Sequence, residues 1–353
     1  MKVSDGNARS LRTPKLLPGT HQLCYPACCK EAADAQQARG LKGRRPVAIT
    51  YQGQSFQRFQ DYVEHQAGDG LQGGESAPLY AHPVDGWIIR TLNATPVKSV
   101  MNKALDVLVS YQFGYDLARS IFIDDRSFPD IFEVLSHCSK VLGIPIPHAV
   151  TRHDVALFNA YTAGTDEYAF INVSSALCKH FTKEEAGFVV GHECGHIASG
   201  HMVYHTLAGA LTNAALNQLG PTGTVLRLTA GIPLMAWSRR SEVTADRAGL
   251  LCCGDIAIAE RSLLRLVTGL ADAESVDMEA FLRRYKDVQE FHSFSKIQEL
   301  TATHPLIPKR IEALRVFANS EVYYTLSGKP RPEGKVLLSR EELNRRVSQI
   351  VQP

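Results

Sequence analysis

The chain has 353 residues, which is enough to bury a sizeable core and is longer than one typical domain. Its apolar content of 44% and charged content of 21% are those of an ordinary globular protein. The formal net charge of +2, from 38 basic and 36 acidic residues, is too small to indicate nucleic acid or an anionic membrane as a partner.

The N-terminal segment, residues 1–80, is rich in Gly, Gln, Ala, Arg and Pro, and we expect it to be poorly ordered or regulatory. It has charges and no continuous apolar stretch near its start, so we predict no secretory signal and a cytoplasmic location. Cys24, Cys28 and Cys29 lie close together and could form a second metal site. Because a zinc site normally needs a further ligand pair at a recognisable spacing, idle or buried reduced thiols are the preferred interpretation.

Residues 81–145 have a helical pattern. Apolar residues repeat at intervals of three and four over 97–108 and again over 131–142, where Gly143 and Pro145 end the second run. We interpret both runs as amphipathic core helices that pack on the domain that follows.

Short strands are predicted after residue 147, where the period changes. Val150 marks the first, and the runs 156–162 and 168–173 are joined as a hairpin by a turn at 163–167. We therefore expect a small sheet in this part of the chain.

A capping box formed by Thr182 and Glu185 predicts the start of a helix that carries His192, Glu193 and His196. The two histidines are four residues apart, so both imidazoles lie on one helical face and can bind one zinc ion. Glu193 can reach a water on that metal and act as a general base. This HExxH pattern alone occurs by chance in on the order of one chain in a hundred of this length, so it needs support from other ligands.

A catalytic zinc site normally has three protein ligands and one open position. Ser199 and Met202 stand where the extended motif HExxHxxGxxH requires Gly and His, so the third ligand must come from elsewhere. Glu242 and Asp246 share a helical face: Glu242 can bind the metal, and Asp246 can accept the second N–H of a ligand histidine. Taken alone, both acidic residues also fit a solvated face with ion pairs to neighbouring arginines.

The uncharged stretch 194–226 resembles a membrane span at first sight, but it lacks an apolar run of about 20 residues. We predict no transmembrane segment and leave peripheral membrane contact as an open alternative.

Four segments follow one another in a fixed order: Asn159-Ala160-Tyr161; the HECGH segment 192–196 with His201; SRRSEVTADR at 238–247; and Thr303-His304-Pro305 with Arg310. Together they resemble the M48 peptidase family, which has HExxHxxxxH, then SRxxExxAD, then THPxxxxRI. The likeness extends over roughly 142–318 and does not include the first eighty residues.

The resemblance implies an α+β, mainly helical fold of the gluzincin type, with a small antiparallel sheet or hairpin beside the HExxH helix. It implies one zinc ion per chain, bound by His192, His196 and Glu242. Glu193 matches the family's general base, and Asp246 matches the acidic residue that supports a ligand.

His304 matches a histidine near the active site of such enzymes, where it could stabilise an oxyanion or take the fourth coordination position. The alternative is a structural residue before the proline that starts a helix. The resemblance also implies an extended polypeptide substrate that pairs with the strand containing Asn159, Ala160 and Tyr161. For His201, packing or a hydrogen bond is expected.

Four parts of the chain are therefore expected: the segment 1–80, a helical part 81–145, an M48-like zinc peptidase domain 146–328, and a C-terminal tail 329–353. The long apolar spans of the membrane-embedded members are absent, so the chain resembles a soluble branch. We expect a zinc metalloendopeptidase. The alternative is a latent or non-catalytic zinc protein that acts as a binding or regulatory module through its N-terminal region. The sequence does not predict an oligomeric state.

Overall fold

The computed structural model describes nine parts of the chain: residues 49–51, 54–56, 78–83, 118–153, 157–164, 169–202, 205, 232–291 and 306–351. They all belong to one unit that spans residues 48–353. The predicted helix over 97–108 and the cysteines Cys24, Cys28 and Cys29 lie outside the described residues.

The residues Ile121–Phe122 (β3), His148–Arg152 (β4), Ala160–Gly164 (β5) and Ala169–Ser174 (β6) form a mixed four-stranded sheet with the order β3-β4-β6-β5. Strands β5 and β6 form an antiparallel hairpin, β4 and β6 are parallel, and β3 and β4 are antiparallel. A separate antiparallel pair is formed by β1 (Ile49–Tyr51) and β2 (Gln54–Phe56).

The predicted hairpin is confirmed, but its first strand begins at Ala160 rather than at residue 156, and two further details of the prediction are wrong. Ala163 and Gly164, expected in the turn, pair with Phe170 and Ala169 and so extend β5. The sheet is mixed rather than antiparallel, because β4 adds to the far side of β6 in the same direction. A period of two shows which residues form strands but does not show which strand pairs with which.

Helices form most of the described structure. The helix predicted over 131–142 is confirmed as α1 (Pro129–Leu142), and the predicted capping box is confirmed at the start of α3 (Lys183–Ala198). The other helices are α2 (Ser175–His180), α4 (Ile232–Cys253), α5 (Ile256–Thr268), α6 (Met278–Phe291), α7 (Ile307–Ala318), α8 (Glu321–Ser327) and α9 (Arg340–Ile350).

Helix α3 is buried on all sides from Glu185 to Ile197. Its first turn is fixed by two reciprocal hydrogen bonds: Glu185 N–H donates to Thr182 Oγ1 at 3.2 Å, and Thr182 N–H donates to Glu185 Oε2 at 3.0 Å. Arg265 of α5 donates to the same Glu185 oxygen at 2.5 Å. The buried carboxylate therefore has partners on two elements, which fixes where α3 begins relative to α5.

Glycines let α3 and α4 approach closely. A Cβ built on Gly195 would lie 2.6 Å from Ala248 Cβ, and one on Gly191 would lie 2.6 Å from Cys252 Cβ. On the facing helix, a Cβ on Gly249 would lie 2.6 Å from the carbonyl oxygen of Phe188. No side chain fits between the helices at these points, so the backbone of α4 passes directly over the HECGH segment.

Two segments distant in sequence pack on α4 and α7. Tyr80 and His82 are buried; His82 N–H donates to Thr244 Oγ1 at 3.0 Å, and Arg247 donates to the carbonyl oxygen of Tyr80 at 2.9 Å. At the other end of the chain, α9 packs on α7 with Leu343 and Val347 in the core. The domain boundaries given above stay a prediction. Among the described residues, no helix combines the length and the apolarity that a membrane crossing requires.

Candidate metal centre

His192 and His196 of α3 and Glu242 of α4 direct polar atoms at one point. The two Nε2 atoms lie 3.1 Å apart. Glu242 Oε2 lies 3.5 Å from His192 Nε2, and its Oε1 lies 3.5 Å from His196 Nε2. All three side chains are buried, and Glu242 is only 1% exposed. Two imidazole nitrogens and one carboxylate at this spacing form a donor set that suits zinc.

Asp246 and Arg310 lie on the Nδ1 side of the His192 ring. His192 Nδ1 lies 3.0 Å from Asp246 Oδ1. Arg310 of α7 donates to both oxygens of Asp246, through Nε at 2.8 Å and through a terminal nitrogen at 2.5 Å. This contact places the Nδ1 proton of His192 on the carboxylate side and leaves Nε2 directed at Glu242. Asp246 is 2% exposed, so neither acidic residue of α4 is part of a solvated face.

The surroundings of the two histidines move their pKa values in opposite directions. Burial opposes the charged form of His192, but the hydrogen bond to Asp246 and the charges of Glu242 and Asp246 outweigh it and raise the pKa. Burial is the main effect on His196 and lowers its pKa. Burial favours the protonated form of Asp246, but the charge and hydrogen bonds of Arg310, with the hydrogen bond of His192, lower its pKa. Asp246 is therefore an ionised acceptor.

The second histidine has a different neighbour. His196 Nδ1 lies 2.9 Å from Nδ1 of His201, a residue just beyond the end of α3 that is fully buried. The ring of His205 packs edge-on against His196 at 4.6 Å between centroids, and its Nε2 lies 2.7 Å from Ser241 Oγ. The hydrogen bond expected of His201 is thus made to a candidate ligand.

The side chain of Glu193 contacts the sheet, whereas His192 and His196 contact residues of α4 and the end of α3. Thr162 of β5 donates through Oγ1 to Glu193 Oε2 at 2.6 Å. The same hydroxyl lies 3.3 Å from the carbonyl oxygen of Glu193. The strand thereby fixes the carboxylate that sequence analysis assigned as the general base.

Two clefts of about 350 and 360 Å³ meet at the candidate ligands. Asn159, Ala160, His192, Glu193 and Glu242 line both of them. The first is bounded mainly by apolar side chains, among them Phe158, Phe188 and Leu266. The second is more polar and includes Tyr161, Thr162 and His205. Strand β5 runs along both clefts and is an edge strand of the described four-stranded sheet.

The structure brings together every predicted site residue except His304, which lies outside the described residues. The sequence predicted no site role for Thr162. Thr162 and Ala160 are two residues apart in one strand, so their side chains lie on the same face of the sheet. Arg310 also belongs to the site, because it is bonded to Asp246. The only sequence signal for that bond was its place in the motif THPxxxxRI.

A helix that carries HExxH, packed against a helix that carries an acidic residue as the third candidate ligand, is the arrangement of a metallopeptidase centre. The chain belongs to peptidase family M48, whose family profile matches residues 125–318. This match includes α1, the hairpin β5–β6, α3, α4 and α7, that is, all the elements that carry the candidate centre.

A relative named as a metallopeptidase supports the same class. The chain is 27% identical over 257 residues to the plastoglobule-localized metallopeptidase 48, chloroplastic, of Arabidopsis thaliana. The aligned region covers 70% of this chain and 74% of the relative. No solved structure matches the chain.

Proposed function

We propose that the chain is a zinc-dependent metalloendopeptidase of the gluzincin type, with one zinc ion bound by His192, His196 and Glu242. The observation that carries this proposal is the convergence of two Nε2 atoms and one carboxylate within hydrogen-bonding distances in a buried site. The Nδ1 atoms of both histidines face other side chains, so their Nε2 atoms are the ones directed at a metal. When bound, zinc would acidify a water molecule and polarise the peptide carbonyl group.

Glu193 supplies the proton transfer in this proposal. Its carboxylate lines both clefts and accepts a hydrogen bond from Thr162, so one oxygen is held while the other can face the substrate. Glu193 would accept a proton from the attacking water and deliver it to the amine that leaves. The Asp246–Arg310 pair keeps the ring of His192 in a fixed orientation while this happens.

An extended polypeptide is the substrate that the two clefts favour. Strand β5 has β6 on one side only among the described strands, so its other edge can pair with a peptide backbone. Asn159, Ala160 and Tyr161 would make these contacts. Because the two clefts share candidate ligands and extend over different residues, a chain that occupies both can be cut at an internal bond, which supports endopeptidase activity.

Glu193→Gln tests the proposed mechanism, with Glu184→Gln as the matched control because Glu184 is exposed on the same helix. We expect the wild-type chain to contain about one zinc and to cleave casein. Glu193→Gln should keep the zinc and lose activity by about 10²–10⁴-fold, and Glu184→Gln should change neither. Undiminished cleavage by Glu193→Gln would refute the role of this residue. A wild-type chain with zinc but no activity, even after removal of residues 1–77, would favour the latent alternative.

The cellular location needs its own experiment. The cytoplasm is the predicted location, whereas the name of the Arabidopsis relative places that protein at plastoglobules of the chloroplast. We propose the cytoplasm as the location to be tested, by fractionation of cells that express the chain with a C-terminal tag. Recovery with plastids or lipid bodies would contradict it. The role of His304 also stays a prediction.

A further inference from the structure

The two candidate histidine ligands are supported by chemically different partners. Behind His192 lies the ionised carboxylate of Asp246, itself bonded to Arg310. Behind His196 lies another imidazole, with 2.9 Å between the Nδ1 atoms of His196 and His201. An ionised carboxylate can only accept a hydrogen bond in such a contact, but an imidazole nitrogen can be either donor or acceptor. The direction of the hydrogen bond between His196 and His201 therefore has to be derived.

The direction of this hydrogen bond follows from the role of His196 in the proposed metal site. A neutral imidazole has one protonated nitrogen, and His196 can bind a metal through Nε2 only if its proton is on Nδ1. This Nδ1–H then donates to Nδ1 of His201, which must be unprotonated. His201 is therefore a neutral acceptor whose own proton is on Nε2.

The end of α3 holds His201 in place. The N–H of His201 donates to the carbonyl oxygen of His196 at 3.0 Å, and the N–H of Gly200 donates to that of Ile197 at 3.1 Å. With Gly200 at φ 67°, these two bonds form a Schellman motif, which turns the chain back over the last helical turn. The ring of His201 also packs edge-on against Trp237 at 5.5 Å between centroids.

From these contacts we infer that His201 is a positioning residue: it accepts a hydrogen bond from the Nδ1–H of His196, fixes the tautomer and orientation of that ring, and thereby strengthens zinc binding. The inference rests on the proposed zinc site. It gives His196 a neutral supporting partner, His201, whereas His192 has the anionic partner Asp246. Partners of this kind typically contribute about 10–100-fold to metal affinity.

A second metal ion is the competing explanation for the same histidines. His196, His201 and His205 could also surround an ion. His196 would then bind two metals through its two nitrogens and would have to lose both protons. The distance of 2.9 Å between Nδ1 atoms is a hydrogen-bond length, and His205 is already in contact with Ser241. The geometry therefore favours the hydrogen bond.

The test compares His201→Asn with His201→Leu in the full chain. Asn places its Oδ1 near the position of the histidine Nδ1 and preserves an acceptor, whereas Leu has a similar size and no acceptor. Zinc affinity is measured by competition with a chromophoric chelator, zinc content by metal analysis, and folding of the metal-free chain by circular dichroism. His153→Leu is the control, because it removes an exposed histidine outside the site.

We expect His201→Leu to bind zinc about 10–100-fold more weakly than the wild type, His201→Asn to stay within about threefold, and His153→Leu to be unchanged. Wild-type affinity in His201→Leu, or an equal loss in the Asn and Leu variants, would overturn the inference. So would two zinc ions in the wild type and one in both variants. If the Leu variant does not fold, His201→Gln replaces it, because its amide oxygen lies one bond further out and cannot reach the Nδ1 position. A wild-type chain that binds no zinc would refute the proposed function itself.

Discussion

The difference in pKa between His192 and His196 decides which ligand competes with protons for the metal. Zinc binds only the neutral imidazole. Because the pKa of His192 is raised above the ordinary histidine value of 6.5, a falling pH protonates His192 before it would protonate an ordinary histidine. His196, whose pKa is lowered, stays neutral over the same range. Zinc affinity should therefore decrease as the pH falls through the pKa of His192, by about tenfold per unit for one displaced proton.

Chelator competition between pH 8 and pH 5, repeated with Asp246→Asn, measures this effect. The variant lacks the carboxylate that raises the pKa of His192, so its affinity should begin to decrease at a lower pH, although its affinity at high pH is weaker. An unchanged or higher transition pH in Asp246→Asn would contradict the assignment.

Thr162 offers a second prediction for a single residue. Its hydroxyl donates to the Glu193 carboxylate at 2.6 Å, and a hydrogen bond to a charged group contributes about 1.5–3 kcal/mol. Thr162→Val, which has the same shape without the donor, should reduce kcat/KM on casein by about tenfold or more and leave zinc content unchanged. Thr162→Ser should retain most of the activity. Equal activity in the Val variant would show that the contact does not assist catalysis.

Sequence patterns placed most of the candidate centre, because its main residues are set by local helical geometry. The spacing of four between His192 and His196, and between Glu242 and Asp246, fixes a shared face in each helix. The contact of Thr162 with Glu193 could not be predicted, since it depends on how the hairpin lies across α3. His201 is similar: only the backbone turn at Gly200 brings its ring to His196.

Among the elements, the contact between α3 and α4 is the one on which the centre depends. Gly195→Ala would place a methyl group 2.6 Å from Ala248 Cβ, so the helices must separate and carry Glu242 away from the histidines. We expect a loss of stability of about 1–3 kcal/mol together with weaker zinc binding, measured by denaturant unfolding and chelator competition.

Gly187→Ala is a matched control on the same helix. A Cβ at Gly187 would have its nearest neighbour at 3.8 Å, which is ordinary contact. The variant should be neutral or more stable, since alanine favours the helix by about 1 kcal/mol. If Gly187→Ala and Gly195→Ala behaved alike, helix propensity rather than the contact with α4 would explain the result.

The sheet shows where prediction from sequence ends at this scale. The hairpin β5–β6 was predictable because its strands are adjacent in the chain and joined by turn residues. The parallel pairing of β4 with β6 was not, because it joins strands that have β5 between them in sequence, and no local pattern specifies such a pair.

The segment 78–83 should be required for the stability of the whole molecule, because it supplies the buried residues Tyr80 and His82. The chain without residues 1–77 is the reference for this comparison. Removing residues 1–83 deletes the buried Tyr80 and His82 and takes away the carbonyl group to which the buried Arg247 donates. The loss of partners for buried groups should lower Tm by roughly 2–8 °C in thermal unfolding followed by circular dichroism. Equal Tm values for the two truncated chains would show that the segment contributes no stability.

The glycine contact between α3 and α4 also has a kinetic consequence. Backbone packing sets the distance between these helices, so the donors on them should keep their spacing whether or not the site is loaded. Zinc uptake should then be a single encounter step, with a rate that rises in proportion to zinc concentration and shows no plateau from a slow rearrangement. Since little apolar surface would be buried in that step, the heat of binding should change only slightly with temperature.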